Sequence, residues 1–279
     1  MDSIKIGFIR NNSIPHTRLR EVIKIMCEKL GWEFIVDVYF KDCGTKRAEL
    51  AQCDYIIDEH RQIRRDGEQK IIYWVTGAGD LSSLALMDRQ KCPNLDIVVT
   101  PRIRRSMHFF NKYVAIGDPI SLYFEKYKSY VQDFQPKNTI FIPEENCFTP
   151  NEIVDIVKPI AEKEGLEIVW KKRDNNEAPE VIFEYLKCAK YVIAGFSTLI
   201  WEGMYFGIPG FMVGGLDPMN ATNENKLFYN ELCMYYPELI IRSYNSFKHK
   251  RDTTDFNKIR DEWFNDNFLK DFVAVLEGN

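Results

Sequence analysis

Short runs of β-branched and aromatic residues alternate with longer amphipathic stretches along almost the whole chain. This alternation limits the possible folds more than any other feature, because it specifies βα units and a mainly parallel sheet. Strands are expected at residues 4–9, 33–40, 54–57, 71–75, 95–100 and 113–116, then again at 139–142, 166–170, 191–194, 208–213 and 239–241. Helices are expected at 18–30, 81–87, 150–165, 178–186, 198–206 and 223–234, with a closing helix over 255–276 broken near Asn265. The first of these places Leu19, Val22, Ile23, Met26 and Leu30 on one face, the helical period. Residues 11–17 read as a polar loop.

The two sets of units are separated by Gly117-Asp-Pro119, a Tyr/Lys-rich segment and Gln135-Pro136. At about 100–200 residues per domain, 279 residues make two domains. The expected division is 1–136 and 137–279, each a Rossmann-like doubly wound α/β domain, the two facing a cleft. In such sheets ligands sit beyond the carboxyl ends of the strands, so the functional residues are expected in the loops that follow them.

A formal net charge of −4 and a pI near 5.7 argue against a general nucleic-acid partner. The seven cysteines are odd in number, widely spaced and without a CxxC pair, which opposes a disulfide framework and a zinc knuckle and points to a reducing, cytoplasmic setting. The N-terminus reads as a strand rather than a signal peptide, and no apolar run reaches the length of a membrane span.

The most informative segment runs from Ala189 to Gly210, Ala-Lys-Tyr-Val-Ile-Ala-Gly-Phe-Ser-Thr-Leu-Ile-Trp-Glu-Gly-Met-Tyr-Phe-Gly-Ile-Pro-Gly. A buried strand ends at Ala194, Gly195 permits a tight turn, and Ser197 and Thr198 open a helix. Helix starts carry unpartnered N–H groups and the positive end of the macrodipole, which suits a diphosphate. The two hydroxyls add donors, and Glu202, about one turn on, is placed to accept hydrogen bonds from a ribose diol. The spacing does not match a capping box, which needs Glu three residues after the cap. Gly207 and Pro209 read as a helix stop and a strand entry.

This Gly-x-Ser-Thr-x-x-x-Glu-x-x-x-x-Gly-x-Pro pattern resembles the donor-binding signature of GT-B glycosyltransferases, which related nucleotide-sugar epimerases and polyol-phosphate transferases share. The resemblance implies that Ser197 and Thr198 approach the donor phosphates and Glu202 the ribose. It implies a nucleotide-donor-binding C-terminal domain, an acceptor-binding N-terminal domain, and a final helix that returns to the first domain. A weaker similarity joins residues 54–58, 71–77, 95–101 and 114–119 to the order of blocks in CDP-glycerol glycerophosphotransferase-like and capsule-polysaccharide enzymes. Those carry Trp-His-Gly-Thr where this chain has Trp74-Val-Thr-Gly77, so that histidine is not available as a base.

Several loops offer catalytic or binding side chains, each beside a plainer structural role. His16 can take a proton from an acceptor hydroxyl near neutral pH, or it is a polar surface residue. Asp58, Glu59 and His60 form a dense cluster that includes a candidate general base, or a solvated turn. Arg10 and Arg18 can bind substrate oxygens or make helix-capping and surface ion pairs. Lys172 and Arg173 follow a strand and can neutralise a leaving diphosphate, or they are a solvated basic run. Asp217 and Asn220 can bond sugar hydroxyls, or form an Asp-Pro turn. Thr76-Gly-Ala-Gly-Asp80 reads best as a structural turn. The patches Arg61, Arg64, Arg65 and Arg102, Arg104, Arg105 can attract an anionic acceptor or make peripheral membrane contact, or are charged surface. No Asp-x-Asp pair stands in a metal-binding context. A metal-independent sugar transfer in glycan assembly follows, from a nucleoside diphosphate such as UDP to a glycan or polyol hydroxyl, with no cofactor beyond the nucleotide-sugar donor as co-substrate. An epimerase, a polyol-phosphate transferase and a non-catalytic nucleotide-sugar binding module are the alternatives.

Overall fold

The structure is a computed structural model that describes residues 3–10, 14–58, 69–74, 96–100, 113–144, 150–172, 178, 180–195, 197–216, 229–230 and 232–278. Among them the chain forms two compact units, each with one sheet. The break falls between Glu125 and Lys126, and the segment from Glu262 onward belongs with the first sheet rather than the second. Two short helices, Ser121–Phe124 and Lys128–Gln132, occupy the stretch expected to be a connector.

The first unit holds an all-parallel sheet in the order β2-β1-β3-β4-β5-β6. Its strands are β1 Lys5–Arg10, β2 Glu33–Tyr39, β3 Tyr55–Asp58, β4 Lys70–Trp74, β5 Ile97–Thr100 and β6 Tyr113–Ala115. The winding reverses at β1, which has β2 on one side and β3 on the other, so the topological switch lies between β1 and β3. The helix Ile14–Leu30 buries Leu19, Val22, Ile23 and Met26 completely, the spacing of one helical face. It stops at Gly31, whose φ of 68° is the left-handed cap that glycine accepts freely. It begins earlier than the sequence pattern suggested, taking in part of the expected polar loop. Pro15 allows this, since the first helical turn needs no N–H from it.

The break expected in the closing helix near Asn265 is present, and it has a clear purpose. Helices Phe256–Trp263 and Phe268–Glu277 flank it. Asn265 Nδ2 donates to Ile116 O at 3.1 Å, Asp118 N–H to Trp263 O at 2.9 Å, and Trp263 Nε1 to Asp118 Oδ2 at 3.2 Å. Gly117 has a φ of 95°, and a Cβ there would lie 2.6 Å from Asn265 Cβ, so only glycine lets the two segments meet. Beyond the break, Phe268 and Phe272 receive Trp74 edge-on at 5.8 and 5.2 Å. Such pairs add about 0.5–1.5 kcal/mol each beyond the area they bury. The aromatic at the end of β4 is therefore what docks the last helix.

The second unit holds a parallel sheet in the order β11-β10-β9-β7-β8. Its strands are β7 Thr139–Pro143, β8 Glu167–Lys171, β9 Ala189–Ala194, β10 Gly210–Val213 and β11 Ile240–Ile241. Here the winding reverses at β7, and the switch lies between β7 and β9. Ile140, Ile193, Val157, Ile160, Phe211 and Phe247 form the core against the helix Pro150–Glu164, with Tyr191 and Phe211 each 5.1 Å from Phe247. The helix Tyr244–Thr253 was not expected, because its sequence is polar apart from Tyr244 and Phe247. A capping box between Ser243 and Ser246 starts it, and Arg251 Nη1 ties it to Glu164 with bonds of 2.8 and 2.9 Å. No helix of the described residues is long and apolar enough to cross a membrane.

Candidate functional site

The switch of the second sheet brings the informative segment to the carboxyl end of β9. The strand is buried through Ala194, Gly195 is buried behind it, and the helix runs Leu199–Tyr205. Ile200, Trp201, Glu202, Gly203 and Met204 are all buried, so this short helix is enclosed on every side. Two glycines explain how it fits. A Cβ on Gly203 would sit 2.7 Å from Val192 Cγ2, and one on Gly210 would sit 2.7 Å from both Ile200 O and Ile200 Cγ2. They let the helix backbone lie directly against β9 and β10. Gly207, at a φ of 78°, ends the helix as its position suggests.

The helix start differs from expectation. Its N–H groups are not waiting for a ligand: Leu199 N–H donates to Ser197 Oγ at 3.3 Å, Ile200 N–H to Ser197 O at 3.1 Å, and those of Trp201 and Glu202 to Thr198 O at 3.0 Å each. Ser197 closes the turn with its own side chain, as serine does in such turns. An anion at this end would therefore meet hydroxyls rather than the helix amides. Thr198 makes no side-chain capping bond. Glu202 is only 8% exposed, which is unusual for a carboxylate and places it among groups that restrict its orientation.

Other loops gather along the same edge. Glu144 follows β7, and its N–H bonds Lys171 O at 2.9 Å. Lys172 follows β8 and is exposed, its carbonyl accepting from Lys171 Nζ at 3.1 Å. Gly214 and Gly215 follow β10, where Tyr229 Oη donates to Val213 O at 2.6 Å. Arg242 follows β11, and the sequence reading passed over it. Its signal was a lone arginine directly after a short strand, which matters only once β11 is known to flank β10. Arg173, Asp217 and Asn220 lie outside the described residues.

In the first unit, Asp58 ends β3 and pairs in register with Ile9 of β1, so it stands at the switch point. It is fully buried. Cys43 lies near enough to feel its charge: burial first, then Asp58, pushes that thiol up to about 11. Arg10 ends β1, bonds Asp37 Oδ1 at 2.6 Å through Nε, and stacks 4.1 Å over the Tyr39 ring. Arg20 Nε reaches the other oxygen of Asp37 at 2.6 Å, and Arg18 is buried. Of the two roles open to Arg10, the ion pair is thus occupied. His16 falls in the first turn of the helix Ile14–Leu30 rather than in a loop, and its side chain lies outside the described residues. Glu59, His60, Thr76–Asp80 and the two arginine patches also lie outside them. Among the described residues, no three His, Cys, Asp or Glu side chains gather as a metal-ligand set.

No family model matches the chain, and no curated protein matches it in sequence. Solved structures do match its fold. The S. aureus MnaA–UDP co-structure is 10% identical and superposes with a TM-score of 0.58 over 99% of this chain and 96% of that one. The wall teichoic acid polymerase TagF is 12% identical, at a TM-score of 0.53 over 99% and 88%. The spinosyn forosaminyltransferase SpnP is 12% identical, at 0.53 over 99% of both chains. The chain has the GT-B fold, two units each built on a parallel sheet. That fold serves glycosyl transfer and related reactions, and at these identities the fold is what is shared.

Proposed function

We propose that the protein is a metal-independent glycosyltransferase that moves a sugar from a nucleoside diphosphate, UDP first among the candidates, to a hydroxyl of a glycan or polyol. The observation that carries this reading is the place of the Gly195–Glu202 segment. It lies at the carboxyl edge of the second sheet, beside the switch between β7 and β9, where doubly wound sheets take their ligands. In this reading the hydroxyls of Ser197 and Thr198 bind the diphosphate and Glu202 accepts from the ribose diol. Gly195 gives the backbone room to turn toward the ligand. Lys172, with Arg173 and Asp217, completes the donor contacts, the cations offsetting charge on the leaving diphosphate. Removal of the acceptor proton falls to Asp58, Glu59, His60 or His16 of the first unit, with a carboxylate or imidazole as base. The work is cytoplasmic, in glycan assembly, with the nucleotide-sugar donor and the glycan or polyol acceptor as partners, no nucleic acid, and at most peripheral membrane contact.

A sugar 2-epimerase is the second reading, favoured by the superposition on a putative UDP-N-acetylglucosamine 2-epimerase from Listeria monocytogenes over nearly the full length of both chains. A calorimetric panel of UDP, CDP, ADP and GDP, followed by incubation of the nucleotide sugars of the preferred base with and without hydroxyl acceptors, separates the readings. Acceptor-dependent release of nucleoside diphosphate is expected. Isomerised donor without acceptor would establish the epimerase, and binding without any turnover a non-catalytic module.

A further inference from the structure

The carboxyl edge of the second sheet carries a guanidinium that no part of the donor motif contains. Arg242 leaves β11 beside the two glycines that leave β10. A Cβ on Gly214 would lie 2.3 Å from Ile240 Cγ2 and 3.2 Å from Arg242 Nε, and one on Gly215 would lie 3.8 Å from the same nitrogen. The glycines are thus the space in which the arginine side chain rests. Gly215 also has a φ of 85°, which other residues resist.

The arginine is held at its root. Its backbone N–H and that of Ser243 both donate to Ser246 Oγ at 2.9 Å, and Gly214 N–H donates to Ile241 O at 2.8 Å, fixing β11 against β10. Among the described residues no carboxylate pairs with the guanidinium, and its charge is felt by the Cys233 thiol, which it draws downward against the larger effect of burial. An arginine with a fixed backbone, laid on a glycine pair and free of an ion pair within that set, is preorganised to receive an anion from outside. Strands in a sheet are about 4.8 Å apart, so the ends of β11 and β9 are separated by about 10 Å. A diphosphate bound at Ser197 and Thr198 needs to extend only across the end of β10 to reach it.

We propose that Arg242 is a donor-binding residue, its guanidinium pairing with a phosphate of the nucleoside diphosphate across Gly214 and Gly215. This rests on the donor reading above. It assigns to the far side of the site a cation independent of Lys172 and Arg173.

The test is calorimetric titration of UDP and of uridine into the wild type, Arg242→Gln and Arg242→Lys, with CDP and cytidine in their place if cytidine is the preferred base. Loss of a charged hydrogen-bonded contact weakens binding by about ten- to a hundredfold. The diphosphate should therefore bind Arg242→Gln that much more weakly, Arg242→Lys should recover part of the affinity, and the nucleoside should bind all three proteins alike. Equal diphosphate affinity in wild type and Arg242→Gln overturns the assignment and leaves the donor reading standing. An equal loss for nucleoside and diphosphate also overturns it, since the arginine would then shape the pocket rather than bind phosphate. A wild type that binds no nucleoside diphosphate overturns the donor reading and this inference together.

Discussion

Replacing Glu202 by alanine separates a ligand-binding carboxylate from a structural one. The residue is 8% exposed, on the helix Leu199–Tyr205 that begins just after Ser197 and Thr198. If it accepts from both hydroxyls of a ribose, two hydrogen bonds to a charged group are lost. Each contributes about 1.5–3 kcal/mol and they are not additive, so the pair is expected to contribute about 2–4 kcal/mol. That range corresponds to a rise of about 30- to 1000-fold in the Kd of the nucleoside diphosphate. Stability moves much less, because alanine recovers up to about 0.5 kcal/mol of helix propensity and so offsets part of the packing removed. Glu202→Gln keeps the volume and one acceptor but loses the charge, and should fall between. Calorimetric Kd and Tm are measured on the same three proteins. An unchanged Kd in Glu202→Ala together with a Tm lowered by many degrees would refute the reasoning and make Glu202 a structural residue.

Gly203→Ala puts a Cβ 2.7 Å from Val192 Cγ2, and the helix must move off β9; a stability loss of about 1–3 kcal/mol by denaturant titration together with weaker nucleotide binding is expected, and unchanged binding would detach the helix from the site. Asp58→Asn should lower turnover by about a hundredfold or more if Asp58 is the base while leaving the donor Kd unchanged, and wild-type turnover would pass that role to His16, Glu59 or His60. Cys27 is pushed by burial from its usual 9.0 to about 12, so alkylation at pH 8 should spare it in the folded chain and reach it after unfolding. The same shift makes stability fall as pH rises from about 9 toward 12, where the unfolded thiol ionises and the folded one does not. Rapid labelling of Cys27 in the folded protein would contradict its burial.

The eleven strands of the described residues were legible because runs such as Ile71-Ile-Tyr and Tyr191-Val-Ile leave little alternative to a buried strand. The helix Tyr244–Thr253 was not legible, since side-chain capping and the Arg251–Glu164 pair replace the apolar stripe that betrays most helices. The start of the first helix was misplaced because the pattern weighed Pro15 as a loop residue, whereas a first turn tolerates it. In the site, Gly195 to Glu202 stood out because the whole signal is local. Three features depended on tertiary neighbours and were missed. The turn closed by Ser197 requires its geometry, the packing roles of Gly203 and Gly210 require β9 and β10 beside the helix, and the place of Arg242 requires β11 beside β10. The catalytic base was left open among four residues because nothing in a single chain fixes which loop meets an acceptor.

The most direct test is a crystal structure of the protein with UDP bound, or with whichever nucleoside diphosphate binds tightest. The account predicts phosphate oxygens within hydrogen-bond distance of the Ser197 or Thr198 hydroxyl and a ribose oxygen within the same distance of the Glu202 carboxylate. A nucleotide seated away from the carboxyl end of β9, with no contact to these three side chains, would contradict it.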